Sequence, residues 1–146
     1  MAKITRFEEI RAWKMSREIA NSVYRLSNET GLSKDFGLKD QMRCAAGSMM
    51  HNIAEGFDAG SDPEFIRFLR YSLRSATELQ SQMYLALDLG YVEKSEFEAL
   101  YSEVNTAKNH LHGFIAYLVK SKAKQSISEP SSNYYVEVAN DDFWTA

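Results

Sequence analysis

The sequence has 146 residues, of which 45% are hydrophobic, and it carries 17 basic and 20 acidic side chains. A chain of this size can form one domain that buries its apolar surface without metal ions or disulfides. No apolar run approaches the length of about 18 residues that spans a bilayer, and the first residues lack the hydrophobic region of a secretory signal. We therefore expect a cytoplasmic protein with no membrane partner.

The net charge of -3 conceals an uneven distribution along the chain. Residues 126–146 contain Glu129, Glu137, Asp141 and Asp142 but no Lys or Arg, so residues 1–125 are nearly neutral. This balance disfavours the broad basic surface of a typical nucleic-acid-binding domain. We divide the chain into a helical domain, residues 1–125, and an acidic tail, residues 126–146.

The tail lacks a helical period, and we expect it to be disordered in isolation. It nevertheless contains more aromatic side chains than a solubilising segment needs, namely Tyr134, Tyr135, Phe143 and Trp144. An alternative interpretation is therefore a short peptide that docks on a neighbouring chain or another partner.

The first predicted helix covers roughly residues 6–28, where apolar residues recur at spacings of three and four. One face of this helix carries Ile10, Trp13, Ala20 and Tyr24. At about 100° per residue, a second apolar stripe falls nearly opposite, formed by Ala12, Met15, Ile19, Val23 and Leu26. A bundle helix needs one apolar stripe, so we interpret the second as the interface of a homo-oligomer. The alternative is that loops or the tail cover it within one chain.

The second predicted helix covers roughly residues 37–57, with an apolar face formed by Leu38, Met42, Ala45, Met49 and Ile53. The following stretch then breaks the helical pattern. Gly60 suits a left-handed cap, Ser61 with Glu64 forms a capping-box signal, and Pro63 suits a first helical turn. A new helix is therefore predicted to begin at this point.

The third predicted helix runs to about residue 89, before Gly90, with a core face formed by Phe65, Leu69, Ser72, Ala76, Leu79, Met83 and Leu87. Ile66, Leu73 and Tyr84 flank this face and Leu85 lies opposite it, which also favours self-association. The fourth predicted helix covers roughly residues 94–122, with Phe97, Leu100, Val104, Leu111, Ile115 and Leu118 on its apolar face. Long helices with short connections pack as antiparallel neighbours. The predicted fold class is all-α, an antiparallel up-down four-helix bundle with a flexible C-terminal tail.

The candidate chemical groups do not form a recognisable catalytic, metal or cofactor site. His51 and Glu55 are two ligands only, and the Glu-x-x-His spacing of di-iron bundles does not occur. Neither an activated nucleophile nor a glycine-rich phosphate loop is recognisable. We interpret the lone Cys44 as a small buried residue. The sequence therefore predicts a protein that is not an enzyme.

We interpret Asn52, Glu55 and Gly56 as a structural joint near the end of the second helix. An amide and a carboxylate at such a position can satisfy backbone groups of the next turn or pair with an Arg of an adjacent helix. Arg17 is the predicted partner of Glu55, so we expect Glu55→Gln to lower the melting temperature.

Two rows of basic residues are candidate nucleic-acid contacts. Arg67, Arg70 and Arg74 form a row on the third helix, and Lys39 with Arg43 forms a shorter row on the second. Such rows contact phosphates in nucleic-acid-binding proteins. Rows of this kind are also common as solvated faces or subunit contacts, so the sequence leaves these alternatives open.

Five stretches occur in a characteristic order: FEEIRAW at 7–13, FGLKDQMRCAA at 36–46, NIAEGF at 52–57, EFIRFLRYSLRSATELQSQ at 64–82 and LGYV at 89–92. Together they resemble the four-helix bundle family of proteins encoded in intervening sequences of bacterial large-subunit ribosomal RNA genes. The resemblance implies a homopentamer with no established enzymatic activity. Relatives of that family include the accessory proteins of diversity-generating retroelements, basic pentamers thought to bind nucleic acid and a reverse transcriptase.

We therefore predict a non-enzymatic, homo-oligomeric helical scaffold or interaction protein associated with RNA or a ribonucleoprotein. The alternative function is direct nucleic-acid binding through the basic rows on the second and third helices.

Overall fold

The computed structural model describes the backbone of residues 2–125 and 134–136, and the side chains of residues 3–29 and 31–121. Its helices are α1 (Arg11–Ser27), α2 (Thr30–Lys34), α3 (Phe36–Phe57), α4 (Asp62–Asp88) and α5 (Lys94–Gln125). A 3-10 turn at Phe7–Glu9 precedes α1, and two short strands are β1 (Ala2–Ile4) and β2 (Tyr134–Val136). The four predicted helices correspond to α1, α3, α4 and α5, whereas the short α2 was not predicted.

The four long helices pack in a closed square. α3 contacts α1 and α4, and α5 contacts α4 and α1. Consecutive long helices run in opposite directions because their connections are short. The predicted antiparallel four-helix bundle is confirmed.

The predicted apolar faces of α3, α4 and α5 form the core. All the residues predicted for these faces are buried, except for Leu87, which is partly buried against the same core. The buried side chains divide into two clusters along the bundle. The second cluster joins Ile4 and Ile10 to Phe65 and Ile66 at the beginning of α4.

The chain before α1 differs from the predicted continuous helix. β1 pairs antiparallel with β2, with Ala2 opposite Val136 and Ile4 opposite Tyr134. Thr5 N–H donates a hydrogen bond of 2.9 Å to Glu9 Oε2, which lowers the pKa of that carboxyl group. The strand at Tyr134–Val136 was not predicted, while the rest of the predicted tail, residues 126–133 and 137–146, lies outside the described residues.

The second apolar stripe of α1 faces the core of this chain, which corrects the predicted oligomer interface. Ile19 is 1% exposed, Val23 0% and Ala12 3%, and Met15 and Leu26 are partly buried against the same core. Ala12, Ile19 and Val23 therefore leave no surface uncovered for another copy of the chain, and this stripe is not the predicted oligomer interface.

The physical reason is that the two stripes of α1 are edges of one broad buried face. Ser16 and Ser27 lie between the stripes and are fully buried. Their hydroxyl groups donate hydrogen bonds to Ala12 O at 2.7 Å and Tyr24 O at 3.0 Å, which offsets the cost of their burial. Only Tyr24 departs from its predicted core position, because it lies at the outer edge and is 49% exposed.

The connection between α3 and α4 has the predicted turn chemistry. Gly60 has a positive φ of 83°, and Pro63 lies in the first turn of α4. Ser61 Oγ accepts a hydrogen bond from Glu64 N–H at 3.4 Å, which caps the helix. These local signals let α4 fold back directly along α3.

Gly56 allows the two helices to approach each other closely at this turn. A Cβ atom on Gly56 would lie 2.7 Å from Phe68 Cβ and 2.8 Å from Phe65 Cδ2. Further along the seam, Ser72 Oγ donates a 2.8 Å hydrogen bond to Met49 O. Small residues on α3 and hydroxyl groups on α4 thus join the two helices.

Asn52 belongs to this joint, but Glu55 and Arg17 do not. Asn52 Nδ2 donates hydrogen bonds of 2.8 Å to the Ser48 carbonyl and hydroxyl oxygens, and Ser75 Oγ of α4 donates to Ser48 Oγ at 2.9 Å. Glu55 is exposed, and no ion pair with Arg17 occurs among the described side chains. Arg17 instead lies over the Trp13 ring at 5.7 Å, so the predicted Arg17–Glu55 pair is wrong.

The close approach at Gly56 predicts a large effect of one methyl group. Gly56→Ala should lower the free energy of unfolding by about 1–3 kcal/mol, because the added Cβ overlaps Phe65 and Phe68. Urea denaturation measures the change. Gly37→Ala is the matched control, since a Cβ there meets only Asp35 Oδ1 at 3.9 Å. Equal stability of the two variants would contradict the close packing.

The seam also predicts which polar residues stabilise the fold. Ser72→Ala should lower the free energy of unfolding by about 1 kcal/mol, because it removes a buried interhelical hydrogen bond. Glu55→Gln should change it by less than about 0.5 kcal/mol, since Glu55 is exposed. Thermal and urea unfolding measure the free energy of unfolding of both variants. A larger loss of stability for Glu55→Gln than for Ser72→Ala would contradict the prediction.

Candidate functional site

The outer face of α4 carries the row of arginines that the sequence singled out. Arg67, Arg70 and Arg74 are all exposed. Tyr71 lies between the first and the last, and its ring centre is 5.8 Å from the Arg67 guanidinium carbon and 5.7 Å from that of Arg74. We call these four residues the α4 arginine surface.

The three guanidinium groups differ in their partners. Arg67 Nη2 forms a 2.7 Å ion pair with Glu64 Oε2. Among the side chains described for residues 3–29 and 31–121, neither Arg70 nor Arg74 has a carboxylate within ion-pair distance. Two charged groups on this surface therefore remain available to an anionic ligand.

Arg43, in the shorter basic row, holds α3 against α1. Its Nε donates a 2.7 Å hydrogen bond to Ser27 Oγ and its Nη2 donates to Asn28 Oδ1 at 2.9 Å. The guanidinium carbon also lies 4.5 Å from the centre of the Tyr24 ring. The Arg43 side chain therefore covers the side of the Tyr24 ring that faces α3.

Lys39 is occupied in a similar way. Its Nζ donates a 3.3 Å hydrogen bond to Ser33 O and lies 4.8 Å from the centre of the Phe36 ring. Lys39 and Arg43 lie near the beginning of α3, which is at the opposite end of the bundle from the beginning of α4. The structure does not bring the two predicted basic rows into one surface.

A polar groove of about 690 Å³ runs along the outer face of α3. Its lining residues are Tyr24, Asp40, Arg43, Cys44, Gly47, Ser48, His51, Asn52 and Glu55. Cys44 is exposed here, which corrects its predicted burial. It lies on the outer face of α3 with Asp40, Gly47 and His51, beyond the seam residue Ser48.

The groove brings His51 and Glu55 to one surface without completing a metal site. Within the described side chains, no three His, Cys, Asp or Glu residues are close enough together to hold a metal ion. Gly47 has no side chain, which leaves room for the His51 ring. A Cβ atom on Gly47 would lie 3.5 Å from His51 Nε2. The groove is thus a shallow polar surface with an uncovered imidazole.

A third exposed feature is apolar and lies at the end of α4. Tyr84, Leu85 and Leu89 are each about half exposed. The Tyr84 ring centre is 4.9 Å from that of Phe97 on α5. A hydrogen bond with Tyr84 raises the pKa of Tyr101 in the same aromatic group.

Basic and acidic side chains are unevenly distributed along α4 and its connection to α5, although Asp62 and Glu64 lie in the first turn of α4. The α4 arginine surface occupies the first half of α4, whereas the exposed acidic residues Asp88, Glu93 and Glu98 lie at its other end and at the start of α5. The nearly neutral composition of residues 1–125 therefore conceals a local basic surface. Tyr71 is the member of this surface that the sequence analysis missed, although its position between Arg67 and Arg74 at helical spacing was a usable signal.

None of the described helices is both long enough and apolar enough to cross a bilayer.

Comparison with solved structures shows that this fold is known in another protein. A protein of unknown function from the S23 ribosomal protein family of Bacteroides thetaiotaomicron is 22% identical and superposes with a TM-score of 0.65. The similarity covers 71% of this chain and 97% of that chain. It shows a shared helical fold. No curated protein gives a significant match.

The sequence profile of the 23S rRNA-intervening sequence proteins matches residues 8–113. This range includes the whole of α1 to α4 and most of α5. The match confirms the resemblance carried by the NIAEGF stretch and the arginine-containing sequence of α4. The chain belongs to the family of 23S rRNA-intervening sequence proteins.

Proposed function

We propose that this chain is a non-enzymatic helical interaction protein that binds structured RNA through the α4 arginine surface and associates with copies of itself. The observation that carries the RNA contact is the pair Arg70 and Arg74, exposed beside Tyr71 with no carboxylate partner among the described side chains. Exposed guanidinium groups without internal partners are suited to phosphate oxygens.

The spacing of the arginines fits a nucleic-acid backbone. Arg67 and Arg74 are seven residues apart on one helix, or about 10 Å along its axis. All three guanidinium groups therefore lie within the length of a few nucleotides. Phosphate contacts of this kind position a protein on RNA without selecting a base sequence.

Tyr71 adds a second type of contact. Single-stranded loops and bulges of RNA present bases that stack on aromatic rings or guanidinium planes. Tyr71 is partly exposed between two guanidinium groups. This arrangement favours RNA with unpaired bases over a regular duplex. The family description, which names an intervening sequence of 23S rRNA, supports RNA as the partner.

Substitution of the two unpaired arginines tests the RNA contact. The double variant Arg70→Gln and Arg74→Gln should bind a labelled hairpin RNA with an unpaired loop at least about tenfold more weakly. The negative slope of log affinity against log salt concentration should become shallower by about 2. Filter binding at several salt concentrations measures both quantities.

The matched control is Arg25→Gln with Lys94→Gln. It removes the same charge from exposed positions at the other end of the bundle. Equal weakening by the control pair would mean that only net charge matters. Absence of RNA binding by the unmodified chain at low salt would contradict the proposed function.

Self-association is the second part of the proposal, and the apolar residues at the end of α4 support it. Tyr84, Leu85 and Leu89 are large side chains, and each is about half exposed to water. Burial of such side chains contributes roughly 1.5–3 kcal/mol for each one fully covered. The family resemblance favours a pentamer as the assembly.

Light scattering tests self-association and its surface. The unmodified chain should have a mass of at least twice the 16.7 kDa of one chain. Leu85→Glu with Leu89→Glu should lower that mass, because two charges would be buried at the contact. Val119→Glu, at a half-exposed residue of α5, is the control and should leave the mass unchanged. A mass of 16.7 kDa for the unmodified chain would contradict the proposal.

A further inference from the structure

The strand pair fixes where the acidic segment of residues 137–146 begins. Val136 is paired with Ala2, and Ile4 of the same β1 strand belongs to the buried cluster that contains Phe65 and Ile66 at the beginning of α4. The segment therefore leaves the bundle at the end that carries the α4 arginine surface. A position near the acidic end of α4 would instead have separated it from these arginines.

The composition of this segment complements that surface. Residues 137–146 contain Glu137, Asp141 and Asp142 and no basic residue. Phe143 and Trp144 directly follow the two aspartates. Carboxylates form charge-assisted, often bidentate hydrogen bonds with guanidinium groups, and aromatic rings stack on the same planes. The segment thus offers both contact types that the α4 arginine surface can accept.

The chain length permits the contact. Asp141 and Asp142 are five and six residues beyond Val136, so an extended chain carries them at most about 20 Å from it. The distance along α4 from Ile66 to Arg74 is eight residues, or about 12 Å. These aspartates can therefore reach the arginine row in a nearly extended conformation of residues 137–142.

We propose that residues 137–146 bind the α4 arginine surface of the same chain, with Asp141 and Asp142 on Arg70 and Arg74 and the following aromatic residues against Tyr71. The binding partner is thus a segment of this chain and not a second copy. The consequence for RNA rests on the proposed function, because the segment would occupy the same guanidinium groups that phosphates need. RNA must then displace it, which lowers the apparent affinity.

Distances between two spin labels test the docking without RNA. Labels at Thr77→Cys and Thr145→Cys, in a full-length Cys44→Ser background, place one probe just beyond Arg74 and one beside Trp144. The proposal expects a short, narrow distance distribution in the sample diluted with excess unlabelled chain. Asp141→Asn with Asp142→Asn should lengthen and broaden it, and so should Arg70→Gln with Arg74→Gln.

Two controls keep the charge change the same but move it elsewhere. Asp88→Asn with Glu98→Gln removes two acids at the other end of α4, and Lys3→Gln with Lys120→Gln removes two exposed bases near the strand pair. Neither pair should change the distances. Distances that are broad from the start, that respond to the lysine pair instead, or that lose the short component on dilution would each overturn the proposal.

RNA binding by the same variants separates the two proposals. Asp141→Asn with Asp142→Asn should bind the hairpin RNA several-fold more tightly than the unmodified chain, and the Asp88→Asn and Glu98→Gln pair should not. If no variant binds RNA, the proposed function fails while the spin-label distances still decide the docking. If RNA binds with an affinity that the tail substitutions do not alter, the shared surface is wrong and the proposed function stands.

Discussion

The close packing of α3 against α4 is the constraint on which the rest of the bundle depends. Gly56 leaves room for Phe65 and Phe68 at the turn, and further along the seam hydroxyl groups of α4 bond to α3. Because small residues of α3 face Phe65 and Phe68, and hydroxyl groups of α4 bond to α3, the two helices approach each other closely. The outer faces of the two helices carry the polar groove on α3 and the exposed arginines on α4.

The same seam explains why the two basic rows have different roles. Near the beginning of α3, Lys39 and Arg43 lie beside α1 and α2, and their donors bond to oxygen atoms there. On α4 the arginines point away from both neighbouring helices, and Arg70 and Arg74 have no carboxylate beside them among the described side chains. A basic row is a binding surface only where the packing leaves its donors unused.

The second apolar stripe of α1, which the sequence analysis interpreted as an oligomer interface, is covered for a related reason. A square of four helices buries each helix on two sides, so the buried arc of α1 is wide enough to include both of its apolar stripes. The hydroxyl groups of Ser16 and Ser27 lie inside this arc and bond to α1 carbonyl groups. A sequence pattern that counts serine as polar divides such an arc into two faces. With this stripe of α1 covered, Tyr84, Leu85 and Leu89 at the end of α4 are a group of half-exposed apolar side chains close together in the described part of the chain.

The sequence by itself determined the four long helices, their turns and most of the core, because helical periodicity, Gly60, Ser61 and Gly90 act locally. It also contained the arginine row and the family resemblance. The tertiary structure decided which side chains are covered and which are exposed. Met15, Ile19 and Val23 face the core, Cys44 is exposed, Glu55 forms no ion pair with an arginine among the described side chains, and Tyr134–Val136 pairs with β1. These properties depend on which helices are neighbours and how closely they pack, and the spacing of residues along one helix carries no information about that.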